Sequence, residues 1–369
     1  MKNTFGNQVS ITLFGESHGT AIGAVLDGLA PGIPVDEEEI RHQLALRRAT
    51  GALSTARQES DPFVLESGVW NGVTTGTPIC ILIPNESQHS RDYAALRGKA
   101  RPGHADYTAY CKYHGFEDYR GGGHFSGRIT AAVVAAGTIA RGALRRKGIL
   151  IGTHLARCAG VDDRAFDIND PENDLDFLAD ATFPALDEEA AEKMQENILA
   201  AKRDGDSVGG VLETLVLGMP AGVGEPWFDS VESMLSHALF GIPAVKGVEF
   251  GDGFGLCDMR GSEANDPFFA EDDGTLSTLT NRNGGINGGI TNGMPLRFRC
   301  AIKPTASIYK PQATADFLVG ENVELQITGR HDPCIAHRAR AVVDAITALT
   351  LCDMLSGRYG TDWLGGDGE

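Results

Sequence analysis

Apolar positions along the first third of the chain fall into short blocks punctuated by glycine and charge, and longer stripes at helical spacing follow. Residues 9–14 form one such block and run into Gly15-Glu16-Ser17-His18-Gly19, which predicts a strand followed by a loop. Residues 21–26 repeat the pattern and stop at Asp27-Gly28, a second strand. Asp36 then opens a helix. Its carboxylate suits an N-cap, Glu39 lies three residues on as in a capping box, and Ile40 and Leu44 share a face. The acidic start (Glu37, Glu38, Glu39) and basic end (Arg47, Arg48) both suit the helix dipole.

Further along, residues 78–83, 211–217, 296–302 and 323–328 read as strands, and 188–203, 230–240 and 336–355 as helices. Residues 128–147 are rich in Ala and other small side chains with little charge before Arg141, which predicts a helix buried on most sides. Residues 97–127 read as a long loop-rich stretch dense in Arg, His, Tyr and Gly. Residues 162–190 read as an acidic surface excursion, and 265–283 as a mobile loop. No short repeat, low-complexity tract or domain linker interrupts the 369 residues, enough chain to bury a large core.

Composition narrows the function. Lys and Arg number 32 against 50 Asp and Glu, a net charge of −18, so nucleic acid and anionic membrane are poor partners. An anionic small molecule would be held only where basic residues cluster. No apolar run reaches the roughly 18 residues of a membrane span, and the first residues lack the apolar stretch of a secretory signal. Seven scattered cysteines without a Cys-x-x-Cys pair argue against a disulfide framework or structural zinc and fit a reducing cytosol. The 47 glycines gather in a few loops, as where backbone approaches a ligand closely.

Five segments carry candidate chemistry, each with a plainer alternative. Gly15-Glu16-Ser17-His18-Gly19 matches a serine-hydrolase elbow, but an elbow needs a helix next and residues 21–26 read as a strand. His104, within Arg101-Pro102-Gly103-His104-Ala105-Asp106, is a loop imidazole: a surface group, or a proton donor near neutral pH. Arg120-Gly121-Gly122-Gly123-His124-Phe125-Ser126-Gly127-Arg128 opens a helix and could bring backbone amides to an anion, or be a flexible turn. Gly284-Gly285 and Gly288-Gly289, then a strand, then Lys303-Pro304-Thr305-Ala306-Ser307, would suit a phosphate-bearing cofactor or a hairpin with a surface lysine. In Gly329-Arg330-His331-Asp332-Pro333-Cys334, Asp332 is a reactive carboxylate or a helix cap. Gly251-Asp252-Gly253-Phe254-Gly255 lacks dinucleotide-fingerprint spacing and reads as a turn. The histidines lack metal-ligand spacing.

Taken in order, these segments resemble the chorismate synthase family over nearly the whole chain, together with Gly72-Val73-Thr74-Thr75-Gly76-Thr77 and Ala244-Val245-Lys246-Gly247-Val248-Glu249. The resemblance implies an α+β fold: a β-α-β sandwich with helices packed between antiparallel sheets, residues 1–369 forming a single catalytic domain. It implies a cytoplasmic homotetramer acting on 5-enolpyruvylshikimate-3-phosphate by 1,4-anti elimination of phosphate, with reduced FMN required although no net redox change occurs. His18 would serve the departing phosphate as an acid and His104 would protonate the reduced flavin near N1. Asp332, with Ser17 and Ser126, would help take the proton through flavin N5. Arg47, Arg48, Arg128 and Arg330 would meet the substrate anions. His124, Phe125, Ser126, Ala244, Gly288, Lys303, Pro304, Thr305, Ala306, Ser307 and Arg330 would bind the flavin. The chain has no extra domain for reducing flavin with NADPH, which points to an external reductant.

The chain also departs from the family. His124-Phe125-Ser126-Gly127-Arg128-Ile129 stands where Arg-Ser-Ser-Ala-Arg-Glu is usual, the stretch Ala49-Thr50-Gly51-Ala52-Leu53 lacks the second arginine that many bacterial members carry after Arg48, and Pro243 replaces an asparagine. These changes spare the proposed acid and base groups. The alternative they raise is a non-catalytic relative that binds flavin or phosphate.

Overall fold

The computed structural model describes residues 2–48, 51–54, 60–86, 96–327 and 331–366. Two five-stranded antiparallel sheets enclose a helical layer. The first sheet joins β1 (Thr4–Phe5), β2 (Ser10–Gly15), β3 (Ala21–Asp27), β4 (Val64–Leu65) and β7 (Ile79–Pro84) in the order β1-β2-β3-β7-β4. A small hairpin, β5 (Val69–Trp70) and β6 (Val73–Thr74), precedes β7. The second sheet joins β8 (Leu150–Cys158), β9 (Val161–Asp162), β10 (Gly210–Leu217), β11 (Val245–Phe250) and β16 (Leu296–Ile302) in the order β11-β16-β10-β8-β9. Hairpins β12 (Phe268–Ala270) with β13 (Leu276–Thr278), β14 (Ile286–Asn287) with β15 (Ile290–Thr291), and β17 (Gln312–Asp316) with β18 (Glu321–Leu325) stand apart.

The helices are α1 (Glu37–Arg47), α2 (Asp106–Tyr113), α3 (Thr130–Arg146), α4 (Pro171–Asp180), α5 (Glu188–Arg203), α6 (Val231–Leu239), the short α7 (Gly261–Ala264) and α8 (Ala336–Tyr359). α3 packs on β3 and β7, α8 on β8 and β10, and the two pack on each other. Their small side chains are why they fit between two sheets: residues 131–136 are all buried, and Gly137 lies so close to Ala345 that an added Cβ would sit 2.4 Å from Ala345 Cβ. The expected sandwich is therefore the observed fold.

The helix at Asp36 forms as anticipated. Asp36 Oδ1 accepts from the amides of Glu38 (2.9 Å) and Glu39 (3.1 Å), although Glu39 turns forward to accept from Gln43 instead of closing the box. Other expectations need correction. The stretch 97–127 contains α2. The stretch 265–283 carries the β12–β13 hairpin, and Asp266 at its base accepts from Thr280 Oγ1, the amides of Arg282 and Asn283, and Asn283 Nδ2. The excursion at 162–190 carries α4, whose Leu175 and Leu178 make a small second core with Phe166 and Leu215. β8 and β11 are strands that the sequence pattern does not announce. β8 hides His154, fully buried on its outer face, which breaks the alternation that marks a strand. Among the described residues no helix is long and apolar enough to cross a membrane.

Candidate active site

A cleft of about 1960 Å³ opens between the first sheet, the Arg120–Phe125 turn, α2, the start of α8 and the segment after β16. It gathers His18, Arg47, Arg48, His104, His124, Phe125, Ser126, Arg128, Ala244, Lys303, Pro304, Thr305, Ala306, Ser307 and Asp332 from distant parts of the chain. Ser17 lies directly behind His18. Gly288 is not brought to this cleft; it forms the turn between β14 and β15. Arg330 lies outside the described residues.

His18 sits in the turn between β2 and β3, 4% exposed, with its Nδ1 3.1 Å from Ser17 Oγ. Ser17 is 1% exposed, its amide donates to Gly123 O and its hydroxyl also reaches Arg120 O at 3.3 Å. Arg120 O can only accept, so the Ser17 hydroxyl donates to it and receives the Nδ1 proton of His18; the imidazolium, the form that acts as an acid, carries its second proton on Nε2. The glycine run makes this possible. Gly121 has φ 63, and a Cβ there would lie 2.1 Å from His18 Cε1. Only glycine lets the turn close over the imidazole. The strand β3 that follows removes the strand–turn–helix context of a serine-hydrolase elbow.

His104 lies across the cleft in the loop before α2, its Nε2 2.7 Å from Ser307 Oγ. Burial pushes its pKa down to about 4; the Arg101 guanidinium adds to that, as do Lys303 and His331, while Asp106 opposes. His104 is therefore a neutral imidazole at pH 7 in the ligand-free chain. Arg101 grips Asp106 with two guanidinium bonds of 2.8 and 2.7 Å, which fixes the loop. Lys303 Nζ donates to Gly103 O at 2.6 Å and ties the same loop to the segment after β16.

Ser126 caps the turn that leads into α3, accepting from the Arg128 amide at 3.2 Å. His124 Nδ1 lies 2.7 Å from Gly15 O, and the half-exposed Phe125 ring meets Tyr113 edge-on. Asp332 accepts from Arg338 Nη2 at 2.6 Å. Arg338, Asp61, Arg101, Asn85 and His331 were not singled out as site residues in the sequence. Asp61 and Asn85 sit in no motif, and Arg338 shows only as a basic residue in the first turn of a helix. Among the described residues, no group of three or more His, Cys, Asp or Glu is placed to hold a metal ion.

The donor set suits an anionic aromatic cofactor. Thr305 Oγ1 and His331 Nε2, both on segments lining the cleft, are buried with no hydrogen-bond partner among the described residues. Buried polar atoms are rarely left so. Lys303, the hydroxyls of Thr305 and Ser307, and the Phe125 ring supply charge, hydrogen bonds and a stacking surface to one cleft.

Comparison with known proteins agrees over almost the entire chain. The chorismate synthase family model matches residues 9–356. A chorismate synthase of Thermococcus gammatolerans is 48% identical over 350 residues, covering 95% of this chain and 96% of its own. One from Dehalococcoides mccartyi is 45% identical over 355 residues, with 96% of each covered. A solved structure of a chorismate synthase superposes with a TM-score of 0.75 at 28% identity, covering 97% of this chain and 94% of its own.

Proposed function

The chain belongs to the chorismate synthase family, and from that premise we infer that the cleft around His18 and His104 is where it eliminates phosphate from 5-enolpyruvylshikimate-3-phosphate. The enzyme is a carbon–oxygen lyase with a small-molecule substrate. The bond to the phosphate oxygen breaks, a ring hydrogen leaves as a proton from the opposite face, and chorismate and phosphate result. The observation that carries the assignment of the site is that two imidazoles, one beside a glycine turn and one beside Ser307, face one cleft lined by arginines.

Phosphate leaves slowly unless its developing charge is met. His18 Nε2 is the acid for that oxygen. Arg47, Arg48 and Arg128, with Arg330, meet the anionic groups of the substrate, where planar guanidinium forks suit carboxylate and phosphate. Asp332, together with Ser17 and Ser126, helps take the ring proton, and Arg338 holds its carboxylate in place. Reduced FMN, when bound, would supply an electron-rich ring, in a reaction with no net redox change. His124, Phe125, Ser126, Ala244, Lys303, Pro304, Thr305, Ala306 and Ser307 would hold it, and His104 would keep a proton at its N1 edge. Gly288 joins that set only if a neighbouring copy supplies it. A homotetramer suits the exposed apolar groups Trp227 (84%), Phe228 (89%) and Phe254 (80%). The chain reads as a single cytoplasmic domain served by an external flavin reductant.

The test is phosphate release and chorismate absorbance from 5-enolpyruvylshikimate-3-phosphate under anaerobic conditions with chemically reduced FMN, beside an oxidised-FMN control. Turnover only with reduced flavin is expected. No turnover by folded protein that binds the substrate would overturn the reading.

A further inference from the structure

Arg47 and Arg128 share one counter-ion. Asp61 Oδ2 accepts from Arg47 Nη1 at 3.3 Å, and Asp61 Oδ1 accepts from Arg128 Nη1. The Asp61 side chain is wholly shielded from solvent, and its backbone lies in the left-handed region at φ 50. An L residue adopts that conformation at some cost, which Asp bears better than most. Other bonds fix the same guanidiniums. Arg47 donates through Nε to Thr130 Oγ1 and through Nη2 to Gly127 O, both at 2.9 Å. Arg128 donates through Nε to Asn85 Oδ1 at 3.0 Å and through Nη2 to Pro84 O at 3.2 Å. Asn85 Nδ2 in turn donates to Glu16 O (3.0 Å) and Gly19 O (2.9 Å), on either side of Ser17 and His18.

One buried carboxylate thus connects the end of α1, the start of α3 and the loop that carries the acid. Two guanidiniums this close repel each other, and a carboxylate between them sets both their separation and their planes. Resting on the substrate assignment above, we propose that Asp61 is a positioning residue that holds Arg47 and Arg128 as one anion-binding unit in register with His18. The substrate anion then lies where His18 can reach the departing oxygen. A displacement of only about 1 Å in such a site lowers turnover by roughly a hundredfold.

Asp61→Asn keeps the shape and removes the charge, whereas Asp61→Glu keeps the charge and moves it by one methylene. Each variant is titrated calorimetrically, free of flavin, with 5-enolpyruvylshikimate-3-phosphate and separately with FMN, and KM and kcat are measured with reduced flavin. In Asp61→Asn the Kd and KM for substrate are expected to rise about tenfold or more, with FMN affinity unchanged. Unaltered substrate affinity and KM, with a lowered melting temperature, would make Asp61 a structural pin and overturn the proposal. If Asp61→Asn does not fold, Asp61→Glu carries the test: weaker substrate binding at unchanged FMN affinity supports positioning, and wild-type binding overturns it. Wild-type protein that neither binds nor converts the substrate would overturn the functional reading and this inference with it. A converting wild type with unchanged variants overturns this inference alone.

Discussion

His104 shows how far one side chain's chemistry depends on what surrounds it. Its neutrality follows first from burial and then from the positive charge of Arg101. An anionic ligand on the same wall reverses the sign of that field, so its pKa should climb when FMN binds. In a ¹⁵N titration the ligand-free His104 should stay neutral until near pH 4 and protonate at clearly higher pH with FMN present; equal curves would remove the proposed contact. The sign for stability follows. Unfolded chains protonate this imidazole near 6.5 and the folded chain near 4, so its contribution is whole above 6.5 and is lost as pH falls toward 4. For catalysis, His18→Ala and His104→Ala should each slow turnover by roughly ten- to ten-thousand-fold. Near-normal single-turnover rates in both would remove the acid assignments. His18 and His104 were both readable as candidates from their motifs. The carbonyls of Arg120 and Gly123 that hold Ser17 beside His18, and the Ser307 hydroxyl beside His104, come from segments a hundred or more residues away, which local sequence does not reveal.

At the scale of elements, the meeting of α3 and α8 is set by the smallest side chains. Gly137→Ala gains helix propensity of about 1 kcal/mol, but the new methyl would collide with Ala345 Cβ, Cα and O at 2.4, 2.5 and 2.7 Å. Overpacking should win, with a net loss of about 1–2 kcal/mol in denaturant unfolding; a more stable variant would mean that the helices can part freely. Asp353 on α8 ties the start of β2 to the same layer, accepting from the amides of Asn7, Gln8 and Val9 at 2.5 to 3.0 Å. Asp353→Ala leaves those donors without their charged acceptor and should lower stability by roughly 2–4 kcal/mol, with hydrogen-exchange protection lost first at residues 7–9. Unchanged protection there would show that another group takes over. The long helices and the strands at 211–217 and 296–302 were legible because their apolar periodicity is long and uninterrupted. α2 was not, since its sequence is largely polar and aromatic and only Ala109 is buried.

Across the whole molecule, His154 fastens the acidic excursion to the second sheet. Its Nδ1 lies 2.7 Å from Asp163 Oδ2 and its Nε2 3.1 Å from Glu213 Oε2, while Asp163 also accepts from the amides of Leu186 and Asp187. Burial opposes the imidazolium, but the bonds to Asp163 and Glu213 outweigh it and raise its pKa above 6.5. Burial likewise opposes both carboxylates, and the bond to His154 helps bring each below its usual range. The imidazolium's contribution is present below pH 6.5 and lost as pH rises through the raised value. That of the carboxylates is present above their ordinary values of 3.8 and 4.5 and lost as pH falls through the lowered ones. Denaturant unfolding from pH 5 to 9 should therefore show an alkaline loss that His154→Gln flattens. An identical alkaline slope in the variant would assign it to other groups.

The sequence by itself determined the family, the order of the main helices and strands, and the segments that meet at the cleft, because these rest on periodicity, turn chemistry and motifs that local residues carry. Tertiary structure decided the rest. That Arg47 and Arg128 are bound to one Asp61, that Arg338 holds Asp332, that His104 is neutral and that 265–283 is fastened by Asp266 all depend on groups brought together from separate segments. Their energies come from burial and from paired charge in a low-dielectric interior, and those exist only once the chain has closed around them.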